Sequence, residues 1–147
     1  MGQLEEILLL LPHRPPFLWV DRIISCTDDC IITEKDISPD LDILQGHYPR
    51  NPIMPGVILC EAIFQSGALL MAKGKLFLSS GIKHLPVLTR IVGAKFKKQV
   101  LPGETVQIRV TLKESISTAY FFHGVLKVSG KVAVTVDFVC AMVKSPS

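Results

Sequence analysis

The chain has 147 residues, of which 48% are hydrophobic, and a formal net charge of +3. That length and apolar content fit one domain with a full core, expected to span residues 1–147. So small a charge excludes a nucleic-acid signature, and the four Cys (Cys26, Cys30, Cys60 and Cys140) are spaced too irregularly for a zinc site, so neither metal nor cofactor is expected.

The first ten residues, MGQLEEILLL, carry two Glu and no basic residue. That is the reverse of a secretory signal, so the expected location is the cytoplasm, with thiols reduced. Gln3 to Leu10 predicts a short helix, stopped before Pro12, whose apolar face packs on the domain or caps an opening. LPHRPPF follows, and its prolines forbid a helix and give a rigid, extended lead-in. Phe17 to Cys26 is rich in β-branched and aromatic residues and predicts a strand. Thr27-Asp28-Asp29 is a turn, and Ile31 to Ile37 is the hairpin partner. Ser38-Pro39-Asp40 ends it, and Asp42 to Gln45 predicts a short helical turn.

Gly46 to Met71, GHYPRNPIMPGVILCEAIFQSGALLM, joins a Pro-rich loop to a long apolar helix. The loop holds His47 among Pro49, Pro52 and Pro55, and the helix is expected from Gly56 to about Ala72. Pro55 suits a helix start, where its missing N–H had no partner in any case. Only Glu61 and Gln65 are strongly polar within the helix, and they lie on one face. A helix apolar on every side belongs inside a protein. It is slightly short for a membrane span, and a central carboxylate disfavours insertion. A buried carboxyl resists ionising, which suits a general acid at neutral pH. The same residue also fits a Glu paired with a structural Arg, or one reaching the surface through a gap. Cys60, beside it, points about 100° away and reads as a small core residue.

After the helix, Lys73 to His84 predicts a connection. Val92 to Val100 alternates, with Val92, Ala94 and Phe96 facing one way and Gly93, Lys95 and Lys97 the other. Pro102-Gly103 suits the centre of a type II turn. Thr105 to Leu112 places Val106, Ile108, Val110 and Leu112 on one face of a half-buried antiparallel strand. Thr118 to Val128 and Lys131 to Met142 are two more strands, joined at a Ser129-Gly130 hairpin turn. The sum is an α+β domain, about six strands curled around one dominant helix. The edges of such a sheet favour pairing with a second copy.

Four stretches in register, HRPPFLWVDR at 13–22, GHYPRNPIMPGV at 46–57, EAIFQ at 61–65 and FKKQVLPGE at 96–104, together resemble the β-hydroxyacyl-acyl carrier protein dehydratases of fatty-acid synthesis, the FabZ type. The similarity runs from about residue 7 to residue 142. It implies a hot-dog fold, an antiparallel sheet wrapped around the central helix. It further implies a homodimer, often a trimer of dimers, with active sites between subunits. The family's catalytic histidine falls on His47 and its glutamate on Glu61, one from each subunit. Related dehydratase-isomerases usually carry Asp at the second position, so Glu61 favours the simple dehydratase.

The residues suit that chemistry. Elimination of water from a 3-hydroxyacyl thioester removes a proton from C2 and gives one to the leaving hydroxyl. His47 serves as base, since an imidazole ordinarily titrates at about 6.5. A protonated Glu61 serves as acid. The backbone N–H groups of Gly56 and Val57, at the positive end of the helix, are placed to hold the thioester oxygen. Gln65, one turn beyond Glu61, is expected to orient the carboxyl group or a water. Acyl carrier proteins are acidic, and Arg22, Arg90, Lys95, Lys97 and Lys98 offer a basic landing surface, or merely solvate an exposed strand face. His13, His84 and His123 read as structural, with His13 expected to fix its loop by a hydrogen bond.

The chain departs from the family pattern at two places. Tyr48 replaces the usual Phe, and Arg50 stands where Gly is usual, at a point where a positive φ costs Arg energy. PVLTRIVGAKFKK lacks the Ile-Asp pair usual before the basic strand, which leaves acyl-chain length open. Two rival readings are a hot-dog thioesterase, which cleaves the acyl thioester with a carboxylate and a water, and a silent hot-dog protein that only binds acyl chains or a carrier protein.

Overall fold

The structure is a computed structural model that describes residues 2–74 and 84–144. Its elements are α1 (Gln3–Leu10), β1 (Arg22–Cys26), β2 (Cys30–Asp36), α2 (Asp42–Gly46), α3 (Gly56–Lys73), β3 (His84–Phe96), β4 (Thr105–Ile116), β5 (Ala119–Val128) and β6 (Lys131–Lys144). The expected connection after the long helix falls on 75–83, outside the described residues.

From Leu59 to Ala72 every residue of α3 is buried except Glu61. The helix is sheltered by a six-stranded antiparallel sheet in the order β1-β2-β4-β5-β6-β3, every strand of which except β1 packs on it closely. This is the wrapped-helix arrangement expected from a wholly apolar helix between strand runs. β4 shows which face of the sheet meets the helix: Val106, Ile108 and Val110 are fully buried, while Thr105, Gln107 and Arg109 face water. The helix lies close to the sheet at Gly124 of β5, where an added Cβ would lie 2.2 Å from Ile63 Cγ2. One end of α3 carries α1, which buries Ile7 and joins Glu6 to Lys73 in an ion pair.

The expected turns are in place. Gly103 has φ +90°, and Glu104 N–H donates to Leu101 C=O at 3.2 Å, a type II turn. Ser129 and Gly130 have φ +52° and +75°, the two left-handed residues of a type I′ hairpin.

Two strands differ from expectation. The first begins at Arg22 and not at Phe17. Phe17 C=O and Trp19 N–H are taken by the Gln65 side chain at 2.9 and 2.8 Å, so these backbone groups are satisfied by a side chain and need no strand partner. The alternating segment is the end of a longer strand, β3, that stops at Phe96. Lys97 and Lys98 turn their N–H groups to Ala133 C=O, and Val100 goes inward to full burial. β3 is an edge strand, and every residue from Val87 to Phe96 is exposed in the single chain.

Candidate active site

The loop between α2 and α3 fixes His47. Tyr48 adopts φ +55°, and Asn51 N–H donates to Tyr48 C=O at 2.8 Å, closing a tight turn directly after the histidine. The left-handed residue is therefore Tyr48, not Arg50, where the sequence had placed the cost. The loop is pinned to the rest of the fold where Met54 N–H donates to Val100 C=O at 2.8 Å. His47 is partly buried, and its Nδ1 lies 2.8 Å from Ile53 C=O. A carbonyl only accepts, so in the neutral ring the proton sits on Nδ1 and the Nε2 lone pair is free to take a proton. The Tyr48 ring stands edge-on to the imidazole at 4.8 Å.

His47 lines a cavity of about 590 Å³ together with Gly56, Val57, Phe96, Lys97 and Lys98. The N–H groups of Gly56 and Val57 precede the first helical acceptor, since Pro55 C=O receives Ile58 and Leu59. They stand at the positive end of the α3 dipole, in the cavity wall. Gly56 lies close under the Phe96 ring, where a Cβ would come within 2.7 Å of it and make the ring shift.

Val57, Glu61 and Gln65 follow one another along a single stripe of α3. The stripe is open at Val57, which is 72% exposed, and closed at Gln65, which is 1% exposed. Glu61 lies between, with 24% of its side chain accessible. Burial pushes its carboxyl group up from the ordinary range, against the opposing pull of the Gln65 hydrogen bond and of His13. Gln65 donates to Glu61 Oε2 at 3.0 Å. The amide cannot be turned over, because its oxygen must accept Trp19 N–H and its nitrogen must donate to Phe17 C=O.

Glu61 is not among the residues that line the His47 cavity. Within one chain the base candidate and the acid candidate therefore face different spaces, His47 with the helix N-terminus and Glu61 with the lead-in segment.

The five basic residues separate into groups. Lys97 and Lys98 line the His47 cavity, and Lys95 and Arg90 lie on β3 leading to it. Arg22 sits on β1, at the opposite edge of the sheet. Its guanidinium is engaged by Asp36 at 2.7 and 2.8 Å and by Glu34 at 3.1 Å. That pairing, together with Thr105, holds the Asp36 carboxyl well below the usual carboxylate range. His123 pairs with Asp137 at 2.7 Å, away from the cavity. Among the described residues no cluster of His, Cys, Asp or Glu is arranged to hold a metal ion.

His13 is the residue that sequence reasoning misplaced. Its ring forms no hydrogen bond among the described residues, Nδ1 is buried without a partner, and Nε2 lies 3.9 Å from Glu61 Oε2. Loop fixing falls to Arg14, which donates to the carbonyls of Leu8, Leu11 and His13 at 2.7–2.8 Å. No periodicity signals such a meeting of two distant segments; the only hint is a buried carboxyl that needs donors.

The family described as a FabA-like domain matches residues 11–137. A 3-hydroxyacyl-[acyl-carrier-protein] dehydratase FabZ of Xylella fastidiosa is 37% identical over 142 residues, covering 95% of this chain and 88% of that protein. In the dehydratase heterocomplex ApeI:P from Xenorhabdus doucetiae, a chain 18% identical to this one superposes with a TM-score of 0.77, over 92% of this chain and 89% of its own length. A hypothetical thioesterase protein with coenzyme A from Streptococcus pneumoniae is 12% identical with a TM-score of 0.64, over 86% and 88%. At such low identity the two structures show a shared fold, the hot-dog arrangement of sheet around helix.

Proposed function

This chain belongs to the family of FabA-like domains, and from that membership we infer that it is a hydro-lyase of fatty-acid synthesis. It removes water from a (3R)-hydroxyacyl thioester held on acyl carrier protein and leaves the trans-2-enoyl thioester. The observation that carries the reading is the stretch from Leu59 to Ala72, in which Glu61 alone is only partly buried, with a carboxyl group that burial pushes up from the ordinary carboxylate range.

His47 takes the proton from C2 through Nε2, with Nδ1–H held on Ile53 C=O. Glu61 gives its proton to the leaving hydroxyl. The N–H groups of Gly56 and Val57 hold the thioester oxygen as charge develops on it. Because His47 and Glu61 face different spaces in one chain, the working site joins His47 of one protomer to the Glu61 of its partner. The open half of the helix stripe, from Val57 to Glu61, and the exposed apolar residues of β3 supply the surface a second copy covers. The assembly is a homodimer, extended to a trimer of dimers, working in the cytoplasm. Lys97, Lys98, Lys95 and Arg90 receive the acidic carrier protein at the cavity mouth.

Crotonyl thioester hydration, followed beside free-thiol release, tests the reaction. Enoyl hydration without thiol release is the expected result. Thiol release would favour the thioesterase that the fold also accommodates, and neither activity would favour a binding protein. Mixing His47→Ala with Glu61→Ala tests the shared site: each variant alone is inactive, and hybrid dimers regain up to about a quarter of wild-type activity per subunit, since one hybrid site in two is intact and half the dimers are hybrids. No regain after subunit exchange has been demonstrated would rule out sites built across the interface.

A further inference from the structure

We infer that His13 is a positioning residue for Glu61, a neutral imidazole whose Nε2–H is aimed at the carboxyl group and stabilises the carboxylate left when the acid has given up its proton. This rests on the reading of Glu61 as the acid.

The first observation is the geometry of the ring. His13 Nε2 lies 3.9 Å from Glu61 Oε2, too long for a hydrogen bond and short enough for a small side-chain rotation to make one. The second is the orphaned nitrogen on its other side. Nδ1 is buried and has no partner among the described residues. A proton there would be a buried, unpaired donor, whereas a bare lone pair in the same place costs less. The favoured neutral tautomer therefore carries its proton on Nε2, facing Glu61. In that tautomer His13 supplies a donor on the side of Glu61.

The third observation is how firmly the ring is held. Arg14 ties the segment to α1 through the carbonyls of Leu8 and Leu11. Gln65 ties it to α3 through Phe17 and Trp19. The imidazole lies against the Phe17 ring, with centroids 6.3 Å apart. Gln65 Nε2–H already donates to Oε2, the oxygen that His13 faces. Donors gather on Oε2, so the acid proton resides on Oε1. When it passes to the leaving hydroxyl, which departs as water, the negative charge left behind meets two donors at Oε2. Both interactions are stronger with the carboxylate than with the acid, which is the condition for aiding proton transfer.

The other titratable group facing Glu61 is Cys140 of β6, whose thiol is pushed up to about 12, by burial first and by the Glu61 charge second. It stays neutral through any working pH, which leaves His13 beside Gln65 as a group that can tune the acid.

The test uses His13→Phe, which keeps a ring and loses the donor, and His13→Gln, which returns an amide N–H near the same place. Glu61 is titrated directly by carbon NMR of labelled glutamate, its signal assigned by its absence in Glu61→Gln, and crotonyl thioester hydration is measured against pH. In His13→Phe the Glu61 midpoint and the alkaline limb of the rate profile are both expected to rise by about one pH unit, tenfold in the ionisation constant. The same variant is expected to lose roughly tenfold in kcat at little change in KM, and His13→Gln to recover most of both effects. An unmoved midpoint in a folded His13→Phe, or a His13→Gln that behaves like His13→Phe, would overturn the inference. Should His13→Phe not fold, His13→Asn, whose shorter amide cannot reach Glu61, takes its place in the comparison. If the wild-type protein does not hydrate enoyl thioesters, the proposed reaction fails on that result alone, while the NMR midpoints still decide whether His13 acts on Glu61.

Discussion

At the scale of single residues, the proposed chemistry depends on keeping one carboxyl protonated inside a helix. Burial raises the Glu61 carboxyl, so the native protein holds a proton at pH values where the unfolded chain has lost it. Its contribution to stability is therefore favourable in acid and declines as pH rises from the ordinary carboxylate range through the raised value. The proposed acid role is expected to follow the same direction, present below the raised value and lost above it. Glu61→Gln removes the ionisation and keeps an oxygen for Gln65. It is expected to abolish at least 99% of dehydration, about a hundredfold, and at pH 8 to raise stability by about 1 kcal/mol, a Tm gain of roughly 2–4 °C. Calorimetry at pH 5 and pH 8 checks the sign: the gain should be larger at pH 8. Tyr48 is a second place where function opposes stability. A tyrosine at φ +55° is strained, and at 65% exposure it buries little in return. Tyr48→Asn, which tolerates that backbone, is expected to gain about 0.5–1 kcal/mol in denaturant unfolding and to lower kcat several-fold by freeing the His47 ring.

At the scale of elements, α3 is both the core and the frame of the site. It meets the sheet closely at Gly124, where Ile63 occupies the space of a side chain. Gly124→Val is expected to cost about 1–3 kcal/mol by overpacking, read as a lowered urea midpoint. Gln65 joins α3 to the lead-in by satisfying Trp19 N–H and Phe17 C=O. Gln65→Leu leaves both unpaired in a buried place, at a cost of about 2–4 kcal/mol, and also removes the donor from Glu61. These contacts account for what the sequence did and did not disclose. The Thr105 to Leu112 alternation and the unbroken apolar run after Gly56 were legible because each reflects one period against one core. The true start of β1 was not, because the residues from Phe17 to Trp19 have strand-like composition but give their backbone groups to a glutamine 46 and 48 residues away.

At the scale of the whole molecule, one edge of the sheet is left unfinished. Among the described residues β3 pairs only with β6, and it exposes Val87, Ile91, Val92 and Phe96, at 41–56% of their surface. Such an edge needs a cover. Replacing Val92 and Ile91 by Lys is expected to shift the protein toward monomer in sedimentation equilibrium and to lower activity in step with the fraction of dimer. A monomer that kept full activity would separate the chemistry from the interface.

By itself the sequence determined the helix, the turns and the inward faces of the central strands, and it singled out the two residues proposed to bear the chemistry. Each of these is set by local periodicity, by a backbone angle only certain residues tolerate, or by a motif carried in one stretch. Tertiary structure alone decided that His13 meets Glu61 and that Arg22 is spent on Asp36 and Glu34 far from the other basic residues. Those are relations between distant segments, and they arise only once burial of the apolar helix has brought the segments around it.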